Sequence, residues 1–180
     1  FSVMVSVTTL ALFMLHGAIY LAMKTENRLY TKLSLLAKSF TVFFVVAFGI
    51  TTLYTLLSIP RLSDRIKSNP AYFFLPMVMF LSIANIPRQL NRGKWRYAFI
   101  SSSVTIATLL AMVALEVFPY LVYSTGNAVN SITIENAASS AKTMKILLII
   151  ASIGTPLVGI YTGFVFWTFK GKVKLDEMSY

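Results

Sequence analysis

The fold this sequence predicts is an all-α, polytopic membrane bundle of five transmembrane helices, with the amino end outside and the carboxyl end cytoplasmic. Three observations predict it. Of 180 residues, 57% are hydrophobic and only 12% are charged, whereas a soluble domain has roughly 45–50% apolar and about 25% charged residues. The apolar residues come in long runs, and about 18 or more in succession suffice to cross a bilayer. The basic residues collect in alternate connections between those runs. So little polar surface could not cover a water-facing globule, which excludes an ordinary soluble enzyme, a disordered tail and a fibrous protein.

The first apolar run, Phe1 to Met23, contains no charge and stops at Lys24. The second is expected from about Ser39 to Ile59, ending at Pro60 and Arg61. The third, Ala71 to Ile86, is the shortest, lies between Asn69-Pro70 and Pro87-Arg88, and invites a kink near Pro76. The fourth covers Tyr97 to Pro119 and is interrupted only by Glu116, and the fifth runs from Met144 to Phe169, closed by Lys170. Helices are the expected form, because alternating strands would not give such continuous apolar stretches.

Orientation follows from the loops. Lys24, Arg28, Lys32 and Lys38, then Arg88, Arg92, Lys94 and Arg96, then Lys170, Lys172 and Lys174 fall on one side. The other side holds Arg61, Arg65 and Lys67 with Asp64, then a loop from Leu121 to Ala141 whose only charge is Glu135. The positive-inside rule makes the richer side cytoplasmic. Trp95, Tyr97 and Trp167 mark the inner interface; Tyr54, Tyr72, Tyr120 and Tyr123 mark the outer one. The net charge of +10 is used up in this way, and no nucleic-acid-binding patch is expected. Phe1 opens directly into an apolar run, with neither an initiator Met nor a basic leader, so the chain is expected to be the tail half of something longer, or one product of a split or cleaved precursor.

Few residues can carry chemistry. There is no cysteine and one histidine, so thiol chemistry, iron–sulfur ligation and a bis-histidine haem site within this chain are excluded. No metal site is expected. Phosphate-binding, dinucleotide-binding, zinc-protease and nucleophile-elbow motifs are absent. Apart from Lys145 at the mouth of span five and the tyrosines, His16 and Glu116 are the ionisable residues within the spans, and such residues are functional candidates by default. His16 is either a proton-relay or quinone-facing group, or a neutral imidazole hydrogen-bonded to an adjacent helix. Glu116 either opens a proton path from outside or is an interfacial carboxylate reaching the headgroups. Thr155, Tyr161 and Thr162 are expected to make helix–helix hydrogen bonds. Ser103, Ala107 and Ala111 form a small stripe on span four, and Gly159 and Gly163 a GxxxG on span five. In lipid such faces let backbones approach, either inside the bundle or against another subunit.

Two stretches say more. The first is Leu15-His16-Gly17-Ala18-Ile19-Tyr20-Leu21-Ala22-Met23-Lys24-Thr25-Glu26. The second runs from Trp95-Arg96-Tyr97-Ala98-Phe99 through Ser101-Ser102, Phe118-Pro119, Asn136-Ala137-Ala138-Ser139-Ser140, Pro156 and Tyr161-Thr162 to Phe169-Lys170-Gly171-Lys172-Val173. In content and order they resemble the carboxyl-terminal half of subunit II of cytochrome bd-type quinol oxidases. Asn27 stands where that family usually has Gly, and Ala141-Lys142-Thr143-Met144 where it commonly has a Pro and a Thr-Leu pair.

The resemblance implies a single membrane domain, a four-helix bundle plus one peripheral helix, within a complex that oxidises quinol and reduces dioxygen to water. It implies that haems b and d sit in partner subunit I, with none ligated by this chain, and that quinol is the substrate of the complex. The implied partners are subunit I and the amino-terminal half of subunit II, with or without a small accessory subunit, and the lipid of a prokaryotic cytoplasmic membrane. The acidic proton-path residues of the family belong to its amino-terminal half, so no catalytic residue carries over. The competing reading is half of a secondary transporter with His16 as coupling residue. Carriers usually break their helices at the midplane, and the run around His16 is unbroken.

Overall fold

The computed structural model describes residues 1–58, 73–122, 124 and 130–171. The connection carrying Arg61, Asp64, Arg65 and Lys67, the tyrosines Tyr72 and Tyr123, and the tail with Lys172, Lys174, Asp176 and Glu177 lie outside the described residues. The elements in order are α1 (Ser2–Lys24), α2 (Asn27–Ser58), α3 (Phe74–Asn91), α4 (Trp95–Val117), β1 (Tyr120–Val122), β2 (Ile132–Thr133) and α5 (Ala141–Thr168). The described chain divides into two compact units, Phe1–Glu116 and Val117–Gly171.

Among the described residues four helices, α1, α2, α4 and α5, are long and apolar enough to cross a membrane. At about 1.5 Å per residue, the shortest of them exceeds the roughly 30 Å of a hydrocarbon layer. α3 has 18 residues but carries Asn85, Arg88, Gln89 and Asn91 in its second half, which lowers its hydropathy below theirs. It also runs through Pro87, where the sequence suggested a stop. The ring removes one backbone bond, which neighbouring groups in a membrane helix can replace.

The stretch between the first two spans differs most from expectation. A basic loop was expected from Lys24 to Lys38; instead only Thr25 and Glu26 separate α1 from α2. Charge does not break a helix: hydropathy reports what lipid will accept, whereas Arg, Leu and Lys are all good helix formers. The reversal is made at Asn27, whose φ of 56° lies in the left-handed region. Glycine adopts that conformation freely, and asparagine is among the few other residues that tolerate it. A physical reason for Gly or Asn at this position follows directly.

In the first unit each helix buries one stripe at helical spacing. α1 buries Thr8, Ala11, Leu12, Leu15, Ala18, Ile19 and Ala22, and α2 buries Ala37, Thr41 and Phe44. α3 contributes Met79, Ile83, Ile86 and Leu90. The α1–α2 pair is packed along much of its length, helped by the alanines and by Thr8 hydrogen-bonded to Thr51 at 2.8 Å. α3 passes to α4 through a tight turn. Gly93, at φ 67°, donates to Leu90 O, and Lys94 donates to Gln89 O, a Schellman arrangement that requires a residue at ease with positive φ.

The second unit holds a hairpin and a helix. β1 and β2 pair antiparallel, Tyr120 with Thr133 and Val122 with Ile132, a small addition to an otherwise helical fold where the sequence predicts a loop. α5 starts at Ser140, whose hydroxyl accepts from Thr143 N, the usual way of satisfying one of the free N–H groups of a first turn. None of the residues of α5 is buried.

Candidate functional site

His16 is held on α1 one residue past the buried Leu15, which turns its ring towards the edge of the packed stripe. Its Nδ1 lies 2.8 Å from Ser102 Oγ on α4, and its ring stacks on Phe99 with centroids 4.6 Å apart. Ser102 Oγ is also 2.9 Å from Phe99 O. The serine can therefore commit its one proton to the backbone and accept from an Nδ1–H, which leaves the lone pair of the imidazole on Nε2. Nε2 has no hydrogen-bond partner among the described residues.

Ser102 is one half of a hub. Beside it, Ser101 Oγ lies 2.8 Å from Asn85 Nδ2 on α3, and Asn85 Oδ1 accepts from Gln89 Nε2 at 2.9 Å. The two serines of α4 thus reach in different directions, one to α1 and one to α3. This row of hydrogen bonds ends at Gln89 Oε1, which is buried without a partner among the described residues. Turning both amides round only exchanges the roles: Ser101 would donate to Asn85, Asn85 to Gln89, and the orphan would become the Gln89 NH2. One head of Gln89 is left to water or to another molecule.

The buried face of α4 is Ala98, Ser101, Ser102, Thr105 and Thr108. Ser103 and Ala111 are half-buried and Ala107 is exposed, so this small stripe flanks the packed face of the first unit. Ser101, Thr105 and Thr108 were not singled out from the sequence as a packing stripe, although their spacing of three to four residues was the available signal. Thr105 and Thr108 turn inward and donate to their own helix, Thr105 to Ser101 O and Thr108 to Val104 O.

Glu116 sits half-buried in the last turn of α4, about 14 residues beyond Ser102, or roughly 20 Å along the helix. His16 bonds at the level of Ser102, so the structure does not bring the two ionisable candidates together. Gly159 and Gly163 are exposed on α5, and a Cβ at either would meet nothing within 4 Å. Thr155, Tyr161 and Thr162 are exposed as well. Among the described residues no group of three or more His, Cys, Asp or Glu could hold a metal ion.

A second cluster lies at the end of the first unit where α1 finishes and α2 and α4 begin. Trp95 Nε1 donates to Tyr30 OH at 2.8 Å, and the two rings meet edge to face at 5.6 Å. This contact ties the early, charged turns of α2 to the start of α4. At the opposite end Phe1 stacks on Tyr54. The sequence placed Trp95 and Tyr54 at opposite interfaces, and the first unit separates them in that way.

Comparison with known proteins gives one consistent family. The family described as cytochrome bd terminal oxidase subunit II matches residues 1–169. The chain is similar to subunit 2 of the cytochrome bd-I ubiquinol oxidase of Escherichia coli strain K12, at 19% identity over 207 aligned positions that cover 99% of this chain and 54% of the relative. The same subunit of Escherichia coli O157:H7 matches to the same extent. The chain thus spans about half the length of the curated relatives it matches. A match along nearly all of its residues, on a fold of long apolar helices, places this multi-pass membrane chain in the cytochrome bd terminal oxidase subunit II family.

Proposed function

We propose that the chain is a non-haem-ligating part of subunit II of a bd-type terminal quinol oxidase, and that its role is to hold the haem-bearing subunit I in shape. The observation that carries this reading is the subunit II match over residues 1–169. In the complex, quinol would be oxidised and dioxygen reduced to water in the partner. The chain would form a single membrane domain, a four-helix bundle plus a peripheral helix. It would lie against subunit I, the amino-terminal half of subunit II and a small accessory subunit, in a prokaryotic cytoplasmic membrane. All five helices would cross it, amino end outside and carboxyl end cytoplasmic. In support, the Tyr30–Trp95 contact brings the two basic connections, Lys24–Lys38 and Arg88–Arg96, to the same end of the first unit.

The surroundings of the one histidine support the non-ligating role: it has an edge on Ser102 and a face on Phe99, which is the environment of an interhelical contact. His16 acts in this reading as a neutral hydrogen-bonding group fixing α1 against α4. A carrier would be expected to break its helix near such a residue, yet α1 continues as one helix from Ser2 to Lys24.

The test is a visible spectrum of the native complex, solubilised in detergent and purified through a tag on this chain. Haem d absorbance that co-purifies in fixed ratio is the expected result. A colourless preparation would overturn the oxidase reading, and in favour of a carrier if it also moved a solute. Stoichiometric haem on the chain expressed without partners would overturn the non-ligating role.

A further inference from the structure

The end of the first unit that carries the Tyr30–Trp95 contact also carries an open cavity of about 490 Å³, lined by Ala22, Met23, Tyr30, Gly93, Lys94, Trp95, Arg96 and Tyr97. That volume is within the roughly 300–1,000 Å³ usual for small-molecule sites. Its chemistry is divided. The last turn of α1 supplies an apolar wall, Ala22 and Met23, and the tyrosines and tryptophan supply amphipathic rings of the kind found at headgroup level. The α3–α4 turn supplies Lys94 and the first turn of α4 supplies Arg96, and neither cation has a carboxylate partner among the described residues. Lys94 Nζ instead lies 6.0 Å over the Tyr97 ring. Glu26 is the one acid in the two connections at this end, and it does not line the cavity.

We propose that this cavity binds the headgroup of an anionic phospholipid, with its phosphodiester between Lys94 and Arg96 and an acyl chain along Ala22 and Met23. The inference rests on the chain lying in a bilayer, as its family and its helices indicate, and not on the haem arrangement. Three features select a lipid over a soluble anion. The cations stand at the end of membrane-length helices, the wall beside them is apolar, and interfacial aromatics surround the mouth. The position of Lys94 is fixed by the Schellman turn at Gly93, and that of Trp95 by its bond to Tyr30, so the site is built before the lipid arrives. An arginine side chain can bind phosphate through two parallel N–H bonds, whereas lysine acts as a point charge.

The experiment uses the whole complex, delipidated mildly in detergent and re-exposed to mixed micelles containing phosphatidylglycerol or phosphatidylcholine. Bound lipid is counted by native mass spectrometry. The expected result is one phosphatidylglycerol retained in preference to phosphatidylcholine and not displaced by millimolar inorganic phosphate. Each juxtamembrane cation is worth about a fivefold change in anionic-lipid affinity. Lys94→Gln with Arg96→Gln should therefore weaken retention roughly 25-fold, and Lys94→Gln alone roughly fivefold. Equal retention of the two lipids, unchanged retention in the single variant, or displacement by phosphate alone would each overturn the proposal. The haem d spectrum, recorded on the same samples, reports assembly separately, so loss of the lipid and failure of the oxidase reading are distinguishable.

Discussion

The two units use their polar side chains differently. In the first, hydrogen bonds join residues far apart in the chain: His16 to Ser102, 86 positions on, Tyr30 to Trp95, 65 on, and Thr8 to Thr51, 43 on. In the second they close within a few residues. Asn136 Oδ1 accepts from Thr133 N and its Nδ2 donates to Ser131 O, and Ser140 caps the helix that begins one residue later. Residues of the family-like stretches take part in both. Hydrophobicity gives no drive between helices in lipid, so the polar contacts of the first unit select which faces meet. Those of the second unit shape the path of the chain from hairpin to helix and leave α5 without a buried face.

This contrast can be broken by substitution, and the largest effect is expected at Ser102. It is fully buried, so Ser102→Leu adds bulk where α1 meets α4 and removes the partner of His16. Overpacking of this kind costs about 1–3 kcal/mol, read as a lowered thermal midpoint of the purified complex. A midpoint equal to that of the unmodified complex would mean that α1 and α4 are not in contact there.

Ser140→Ala should cost about 1 kcal/mol through loss of the cap alone. Hydrogen exchange is the appropriate measurement, with faster exchange confined to the first turn of α5. Exchange that also accelerated in α1 or α4 would show that the second unit is not shaped locally.

The smallest effect is expected for His16→Gln, since glutamine can still offer an N–H to Ser102. Interhelical hydrogen bonds in a membrane protein average about 0.6 kcal/mol, and the change should not exceed that, with most of the proposed oxidase activity kept. Near-complete loss of activity in an assembled complex would make His16 a participant in proton transfer.

Legibility in the sequence followed the range of the interaction. The ends of α1, α4 and α5 fall within about three residues of the apolar runs, because lipid solubility is summed locally along the chain. α2 begins about 12 residues before its apolar run, since a charged stretch can be as helical as an apolar one. The end of α3 was misplaced: the sequence predicts a stop at Pro87, whereas the helix runs on to Asn91 and turns at Gly93, which with Lys94 lines the cavity. The hairpin was not readable: strands of three and two residues carry too short a pattern to tell from loop.

His16 stood out from the sequence as an ionisable group in an apolar run, but its partner did not. Nothing in Ser101-Ser102-Ser103 says which hydroxyl faces α1, which faces α3 and which flanks the packed face. A lipid-facing and a helix-facing position are equally apolar, so hydropathy cannot orient a helix about its own axis. By itself the sequence determined that the chain lives in a membrane and, to within about three residues, where α1, α4 and α5 lie. Only the tertiary structure decided the rotation of the helices of the first unit, and with it the bond from His16 to Ser102 and the gathering of Lys94 and Arg96 beside the end of α1. Such choices depend on a neighbouring helix that is distant in the chain.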